Sequence, residues 1–223
     1  MPDIIYEDKQ LLVCRKPAGL AVQNASFGRM DLESMVRTYL MEKYEKANPY
    51  VGVVHRLDQP VQGLVVFAKT PSAAAKLSAQ VQDGRMKKEY LAVVCGRLPQ
   101  TEGTLIHYLK KEPSGNCSRA VPQKTPGAKR AELNYRVLAE TEGRALVKIN
   151  LHTGRHHQIR VQMAESGAPL YGDAKYNPLA QRGEQIALCA SRLVFTHPTT
   201  GKEMEFSCQP VGFPAVVQAH CPE

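Results

Sequence analysis

Along this chain, apolar residues either alternate with polar ones or gather in short runs, and helical spacing is confined to a few segments. Alternation and short apolar runs predict strands, whereas recurrence every three or four residues predicts a helix. We expect helices over residues 31–46, 71–82 and 158–165. We expect strands over residues 4–6, 11–14, 51–55, 63–68, 90–96, 104–110, 131–138, 145–151, 186–195 and 203–208. Most of these strands join by hairpins, which predicts an α+β fold with a largely antiparallel sheet.

One short polar segment lies between two β-branched apolar runs, residues 51–54 and 64–68. Pro60 and Gly63 break the strand pattern there and predict a loop. Asp58 lies in this loop, and a carboxylate held between two core strands is a rigidly supported position for catalysis. The same pattern is compatible with an Asp58 that only caps a turn.

Composition narrows the class of protein without naming a function. The 223 residues fit one large domain or two small ones, and no linker-like segment divides them. The net charge of +8 is compatible with a polyanionic partner but does not require one. The six cysteines are scattered without a Cys-x-x-Cys pair, and residues 111–130 predict an exposed basic loop. The N-terminus is polar from residue 3 and no apolar run reaches membrane-spanning length, so we expect a cytoplasmic protein with reduced thiols.

Several ordered motifs carry a resemblance to a known family. The segment His55-Arg56-Leu57-Asp58, followed by Gly63 and an apolar run ending in Ala68-Lys69, resembles the central motif of the RluA class of pseudouridine synthases. Residues 88–94 and 153–161 resemble the second and third motifs of that class. Further segments that fit the family are residues 4–20, Gly172-Asp173, Tyr176 and residues 187–198.

The resemblance implies a single catalytic domain over residues 1–223, without a separate N-terminal RNA-binding domain. Its expected fold is a bent, mixed, mostly antiparallel β-sheet with flanking helices. The expected activity is isomerisation of uridine to pseudouridine in structured RNA, either rRNA or tRNA, after the base has been flipped out. We expect a monomer with no membrane association. The reaction has no redox step, so we expect no cofactor.

The resemblance also implies roles for individual residues. Asp58 matches the catalytic aspartate, which acts either as a nucleophile at the sugar carbon or as a base. Arg160 matches the basic residue that pairs with this aspartate, and Tyr90 matches the tyrosine that stacks on the flipped base. Arg56 matches the residue that enters the gap left by the base, and Leu188 a wall of the uracil pocket. The matched motifs also assign substrate binding to His55 and Arg155.

Each of these residues has an ordinary alternative role. Arg160 also fits a solvent-facing helical arginine or a phosphate contact, and Tyr90 fits a core tyrosine with a bonded hydroxyl. Arg56 also fits a simple phosphate clamp, and Leu188 an ordinary core leucine. The basic residues Lys110, Lys111, Lys129 and Arg130 predict phosphate contacts, although charge runs are usually only solvated surfaces.

The chain departs from the family pattern at two places. Val61-Gln62 stands where the family usually has Thr-Ser, and His156 stands where it usually has Thr. Both departures spare the residues assigned to chemistry, and they bear on loop hydrogen bonds and substrate choice.

Three other functions deserve comparison. A metal site at His152, His156 and His157 is not expected, because no supporting ligand lies at a suitable spacing. An RNA-binding factor without turnover would not need Asp58, Tyr90 and Arg160 together. A glycosidase-like hydrolase would need a second carboxylate in a matching motif, which the chain lacks. An RNA-modifying enzyme therefore remains the favoured interpretation.

Overall fold

The computed structural model describes residues 1–23, 28, 30–141 and 143–217. The chain forms two compact units. The first comprises residues 1–88 and 190–209, and the second comprises residues 89–189 with the described residues from 210 on. Each unit is a β-sheet with helical cover, and each is described by itself.

Most described residues lie in strands. The strands are β1 (Asp3–Glu7), β2 (Leu11–Lys16), β3 (Gly52–Val53), β4 (Gln62–Ala68), β5 (Lys87–Cys95), β6 (Glu102–Lys111), β7 (Ser118–Ala120), β8 (Lys129–Thr141), β9 (Arg144–Leu151), β10 (Leu188–Thr196) and β11 (Glu203–Ser207). The helices are α1 (Leu32–Tyr44), α2 (Pro71–Gln82), α3 (Gln158–Glu165) and one 3-10 turn at Ala215–Val217. In the described part of the chain, every helix is too short or too polar to span a membrane.

The first unit is built around β4, which is buried over its whole length. The strand order is β1-β2-β4-β10, with β3 paired to β4 and β11 paired to β10. Helix α2 packs on this sheet, and burying each large apolar side chain contributes about 1.5–3 kcal/mol. The buried cluster contains Leu11, Val13, Leu64, Val66, Ala68, Ala73, Leu77, Met86, Leu193 and Phe195.

Local signals determine where two helices begin. The Asp31 side chain accepts a hydrogen bond from the Ser34 amide at 2.8 Å and caps α1. The Thr70 hydroxyl accepts from the Ala73 amide at 3.2 Å, and Pro71 occupies the first turn of α2. The helices predicted over 31–46 and 71–82 are confirmed. Their starts depend on residues that are close together in the chain.

The second unit is an antiparallel sheet in the order β5-β9-β8-β6-β7. Helix α3 lies on one of its faces. Val161 packs there against Leu109 and Ala131, and the Gln162 side-chain amide donates to the Leu105 carbonyl at 2.9 Å. The helix predicted over 158–165 is confirmed, and α3 also contacts β7.

The α+β prediction is confirmed, and every strand pair whose register is described is antiparallel. Two details were wrong. The segment 111–130 is not entirely a loop, because it contains β7 and the start of β8, and Ser118 is buried. This edge ribbon carries mainly polar residues, so it gives no apolar period. The strand predicted over 51–55 ends at Val53, because the His55 side chain takes over bonding to β4.

Candidate active site

The Asp58 loop connects β3 to β4 and is tied to the turn that follows β2. Within the loop, the Val61 amide donates to the Asp58 carbonyl at 3.0 Å. The Gly19 amide donates to the Gln59 carbonyl at 2.9 Å, and the Gln59 side-chain amide donates back to the Gly19 carbonyl at 3.0 Å. Leu57 is buried, whereas Asp58 is partly exposed. The backbone around Asp58 is therefore held in place by hydrogen bonds, while the carboxylate remains accessible to solvent.

Lys16 is a buried cation beneath this loop, and the sequence analysis missed it. Its side chain is fully buried, and Nζ donates to the carbonyls of Pro17 at 3.0 Å, Leu20 at 2.6 Å and Gln59 at 3.0 Å. Burial lowers the pKa of Lys16 to about 8, and the charge of Asp58 opposes that shift. The ammonium thus joins the two turns while its charge interacts with the Asp58 carboxylate.

His55 has a structural contact in this unit. Its Nε2 accepts a hydrogen bond from the Val66 amide at 3.3 Å, which continues the bonding of β4 beyond the end of β3. Burial, with a smaller contribution from the charge of Lys88, lowers the pKa of His55 to about 3. The ring is therefore neutral at neutral pH and carries its proton on Nδ1, which has no hydrogen-bond partner among the described residues.

Gly63 explains why this motif requires a glycine. Its φ is 125°, a value that side chains disfavour. A Cβ atom at this position would lie 2.4 Å from the Ala190 carbonyl oxygen and 2.5 Å from the Ala190 nitrogen. Only glycine lets β4 approach β10 this closely. Arg56 lies exposed in the same loop, two residues before Asp58.

In the second unit, Arg160 lies buried on α3 and forms a bidentate ion pair with Asp173. Nε donates to one carboxylate oxygen at 2.8 Å and Nη2 to the other at 2.6 Å, and the Asp173 side chain is fully buried. The guanidinium also lies 5.1 Å from the centre of the Tyr176 ring. Such pairs hold arginine in one orientation. The sequence resemblance included the Gly172-Asp173 segment but assigned no role to Asp173. That segment was the sequence signal from which a partner for Arg160 could have been found.

The other predicted site residues of this unit differ in exposure. Tyr90 on β5 and Leu188 at the start of β10 are both buried. Arg155 is exposed just before α3, and its Nε donates to the Arg130 carbonyl at 2.9 Å. Burial, followed by the charge of Arg160, lowers the pKa of His157 to about 3.

The structure thus distributes the predicted residues over both units. His55, Arg56 and Asp58 belong to the first, and Tyr90, Arg155, Arg160 and Leu188 to the second. Among the described residues there is no group of three or more histidine, cysteine or acidic side chains that could hold a metal ion.

Comparison with known proteins decides the family. The family model described as RNA pseudouridylate synthase matches residues 10–165, and this match includes the Asp58 loop, Tyr90 and Arg160. The chain belongs to the RNA pseudouridylate synthase family. The match covers more than half of the chain and extends over both units. The predicted enzyme class, an RNA pseudouridine synthase, is therefore confirmed.

Curated relatives are about one-third identical to this chain. An uncharacterized RNA pseudouridine synthase of Mycoplasma pneumoniae is 35% identical over 93% of this chain and 66% of its own length. Ribosomal large subunit pseudouridine synthase D of Zymomonas mobilis is 34% identical over 93% of this chain and 68% of its own length. The enzyme of the same name from Neisseria meningitidis serogroup A is 36% identical, with 92% and 57% covered. These relatives confirm the RluA class, and the chain spans roughly two-thirds or less of their length.

Solved structures confirm the fold of this chain. Human RNA Pseudouridylate Synthase Domain Containing 4 superposes with a TM-score of 0.79 and 22% identity, covering 93% of this chain and 88% of the other. Human RNA Pseudouridylate Synthase Domain Containing 1 superposes with a TM-score of 0.78 and 20% identity, covering 97% and 86%. At these identities the likeness concerns the fold alone.

Proposed function

We propose that this chain isomerises uridine to pseudouridine in RNA, with Asp58 as the essential carboxylate. The observation that carries the proposal is a partly exposed aspartate in the matched motif, on a loop braced by Lys16 and by backbone bonds to Gly19. Catalytic groups need such support, because small displacements cost much of the rate.

In this reaction the bond between N1 and C1′ of uridine breaks and a bond between C5 and C1′ forms. The hydrogen on C5 is lost and N1 gains a proton, so atoms and charge balance without a redox partner. Asp58 either attacks C1′ or removes a proton from the neighbouring sugar carbon, and an ionised carboxylate can do both.

We assign supporting roles to the other matched residues. Arg160 supplies positive charge to the catalytic step, and its orientation is supported by the bonds to Asp173. Tyr90 stacks on the flipped base, with Leu188 as an apolar wall. Arg56 fills the gap in the RNA and offsets part of the few kcal/mol that base flipping costs. His55 and Arg155 complete the substrate-binding set, and the structural bond of His55 supports an indirect role through the loop.

The substrate we propose is structured ribosomal RNA, with tRNA as the alternative. The support is that curated relatives are named ribosomal large subunit pseudouridine synthase D. We further propose that the two units act together as one catalytic domain, as a monomer in the cytoplasm and without a cofactor. The family match, which draws on both units, supports the single-domain proposal.

The decisive experiment is release of tritium from RNA labelled at C5 of uridine. Wild-type protein should release tritium from unmodified ribosomal RNA transcripts, and Asp58→Asn should release none while binding the same RNA. Asp83→Asn is the matched control, because Asp83 is an exposed aspartate of the same unit that bonds to Arg85. Full activity of Asp58→Asn would refute the assignment. Tight binding by wild type without tritium release on rRNA or tRNA would favour an RNA-binding factor instead.

A further inference from the structure

Hydrogen bonds connect the turn between β6 and β7 with the two histidines just before α3, His156 and His157. The Ser118 amide donates to the Tyr176 hydroxyl at 2.8 Å, and that hydroxyl lies 2.7 Å from Nδ1 of His157. The Ser118 hydroxyl lies 2.8 Å from Nδ1 of His156, whose Nε2 lies 3.0 Å from the Asn116 side-chain oxygen. The two imidazole rings stack with centroids 3.8 Å apart. Both histidines therefore help to place the turn.

Two lysines extend from this framework. Lys175 Nζ donates to the carbonyls of Asn116 at 2.7 Å and Gly115 at 3.2 Å, and it has no carboxylate partner among the described residues. Lys111 lies opposite Ser118 in the β6–β7 register, so both side chains point to the same face of the ribbon. Lys111 is exposed, and no described side chain forms a hydrogen bond or ion pair with it.

The positive charge of this region is poorly compensated. Asp173 accepts a hydrogen bond from the Lys175 amide at 3.0 Å, but both of its oxygens are bonded to Arg160. Glu112 next to the turn is paired with Arg119. The effect is visible at His157, whose pKa is lowered by burial and then by the charges of Arg160, His156, Lys175 and Lys111. Like charges held together in this way favour binding of an anion.

We propose that Lys111 and Lys175 bind a phosphate group of the RNA strand, and that His156 positions the turn for that contact. The inference rests on the proposed function, because it takes the anion to be an RNA phosphate. Lysine suits this role as a compact charge on a flexible stem. His156 stands where the family usually has threonine, and threonine has no imidazole ring to contact Ser118 and Asn116 on two sides.

The strand geometry offers a matched control for the test. Lys110 and Lys111 were predicted together from the sequence as phosphate contacts. Side chains alternate along a strand, however, so Lys110 points to the opposite face together with Arg119, and the proposed phosphate site does not include it. The affinity for a labelled rRNA transcript should be measured over a range of KCl concentrations for wild type, Lys111→Ala, Lys175→Ala and Lys110→Ala. Lys111→Arg, which keeps the charge, tests for rescue.

Log affinity falls as log salt concentration rises, and each lost phosphate contact should make this fall less steep by about 0.7 to 0.9. We expect this loss for Lys111→Ala and Lys175→Ala, the wild-type slope for Lys110→Ala, and recovery in Lys111→Arg. Because no described side chain bonds to the Lys111 side chain, the result for Lys111→Ala is independent of any local change caused by Lys175→Ala. Equal slopes for wild type and Lys111→Ala, or equal losses for Lys111→Ala and Lys110→Ala, would overturn the proposal.

This outcome is separable from that of the proposed function. If wild type releases tritium but its salt slope does not depend on Lys111, the activity stands and the phosphate site fails. If wild type releases no tritium but the slope depends on Lys111 as described, the phosphate site stands and the isomerase proposal fails.

Discussion

Burial of His55 makes a quantitative prediction about stability and pH. The pKa of His55 is lowered from 6.5 to about 3 in the folded protein. Between these values the unfolded chain binds a proton at this residue and the folded chain does not. Stability contributed by neutral His55 is therefore complete above pH 6.5 and is lost as the pH falls toward 3. Between pH 7 and pH 5 the loss is about 2 kcal/mol.

The assay compares wild type with His55→Gln by urea denaturation at several pH values. Glutamine does not titrate, and its side-chain oxygen can accept the bond from the Val66 amide that His55 Nε2 accepts. Other titrating groups cancel in the difference between the two proteins. We expect the free energy of unfolding of wild type, relative to the variant, to fall by about 2 kcal/mol from pH 7 to pH 5.

A control and a refuting result complete this prediction. His152→Gln removes a histidine from the protein surface, so its difference from wild type shows the effect of losing an exposed imidazole. If the wild-type and His55→Gln curves stay parallel between pH 7 and pH 5, the buried neutral state of His55 is wrong. The structural role assigned to His55, as acceptor of the Val66 amide bond, would then be wrong as well.

Two further variants test the geometry of the site. Gly63→Ala should destabilise the protein by about 3 kcal/mol or more in urea denaturation, because the added Cβ would clash with the Ala190 backbone and the residue has a positive φ. The control is Gly84→Ala, which also has a positive φ but open space around it, and it should cost only about 1 kcal/mol. Equal costs for the two variants would contradict the argument. Asp173→Ala should cost about 3–5 kcal/mol, because it removes the carboxylate that forms a bidentate pair with the buried Arg160 cation, and tritium release should also fall. Wild-type stability and activity in this variant would show that Asp173 does not hold Arg160.

The sequence by itself determined the features that depend on residues close together in the chain. The caps at Asp31 and Thr70 mark the starts of two helices, because a cap needs only the next three residues. Alternation identified most strands, and the spacing around Asp58 identified a loop between buried strands. The ordered motifs were sufficient to predict the family, because several of them occur in the family's order along most of the chain.

Only the tertiary structure decided which distant residues meet. Lys16 bonds to the Gln59 carbonyl 43 positions later, and nothing in the composition of β2 distinguishes it from an exposed lysine. Asp173 is held by Arg160 across a turn whose course no local pattern specifies. The pleat of β6 puts the side chains of Lys110 and Lys111 on opposite faces, but only the pairing of β6 with β7 decides that Lys111 shares a face with Ser118. These outcomes depend on pairing and burial between distant segments, and local propensity carries no information about either.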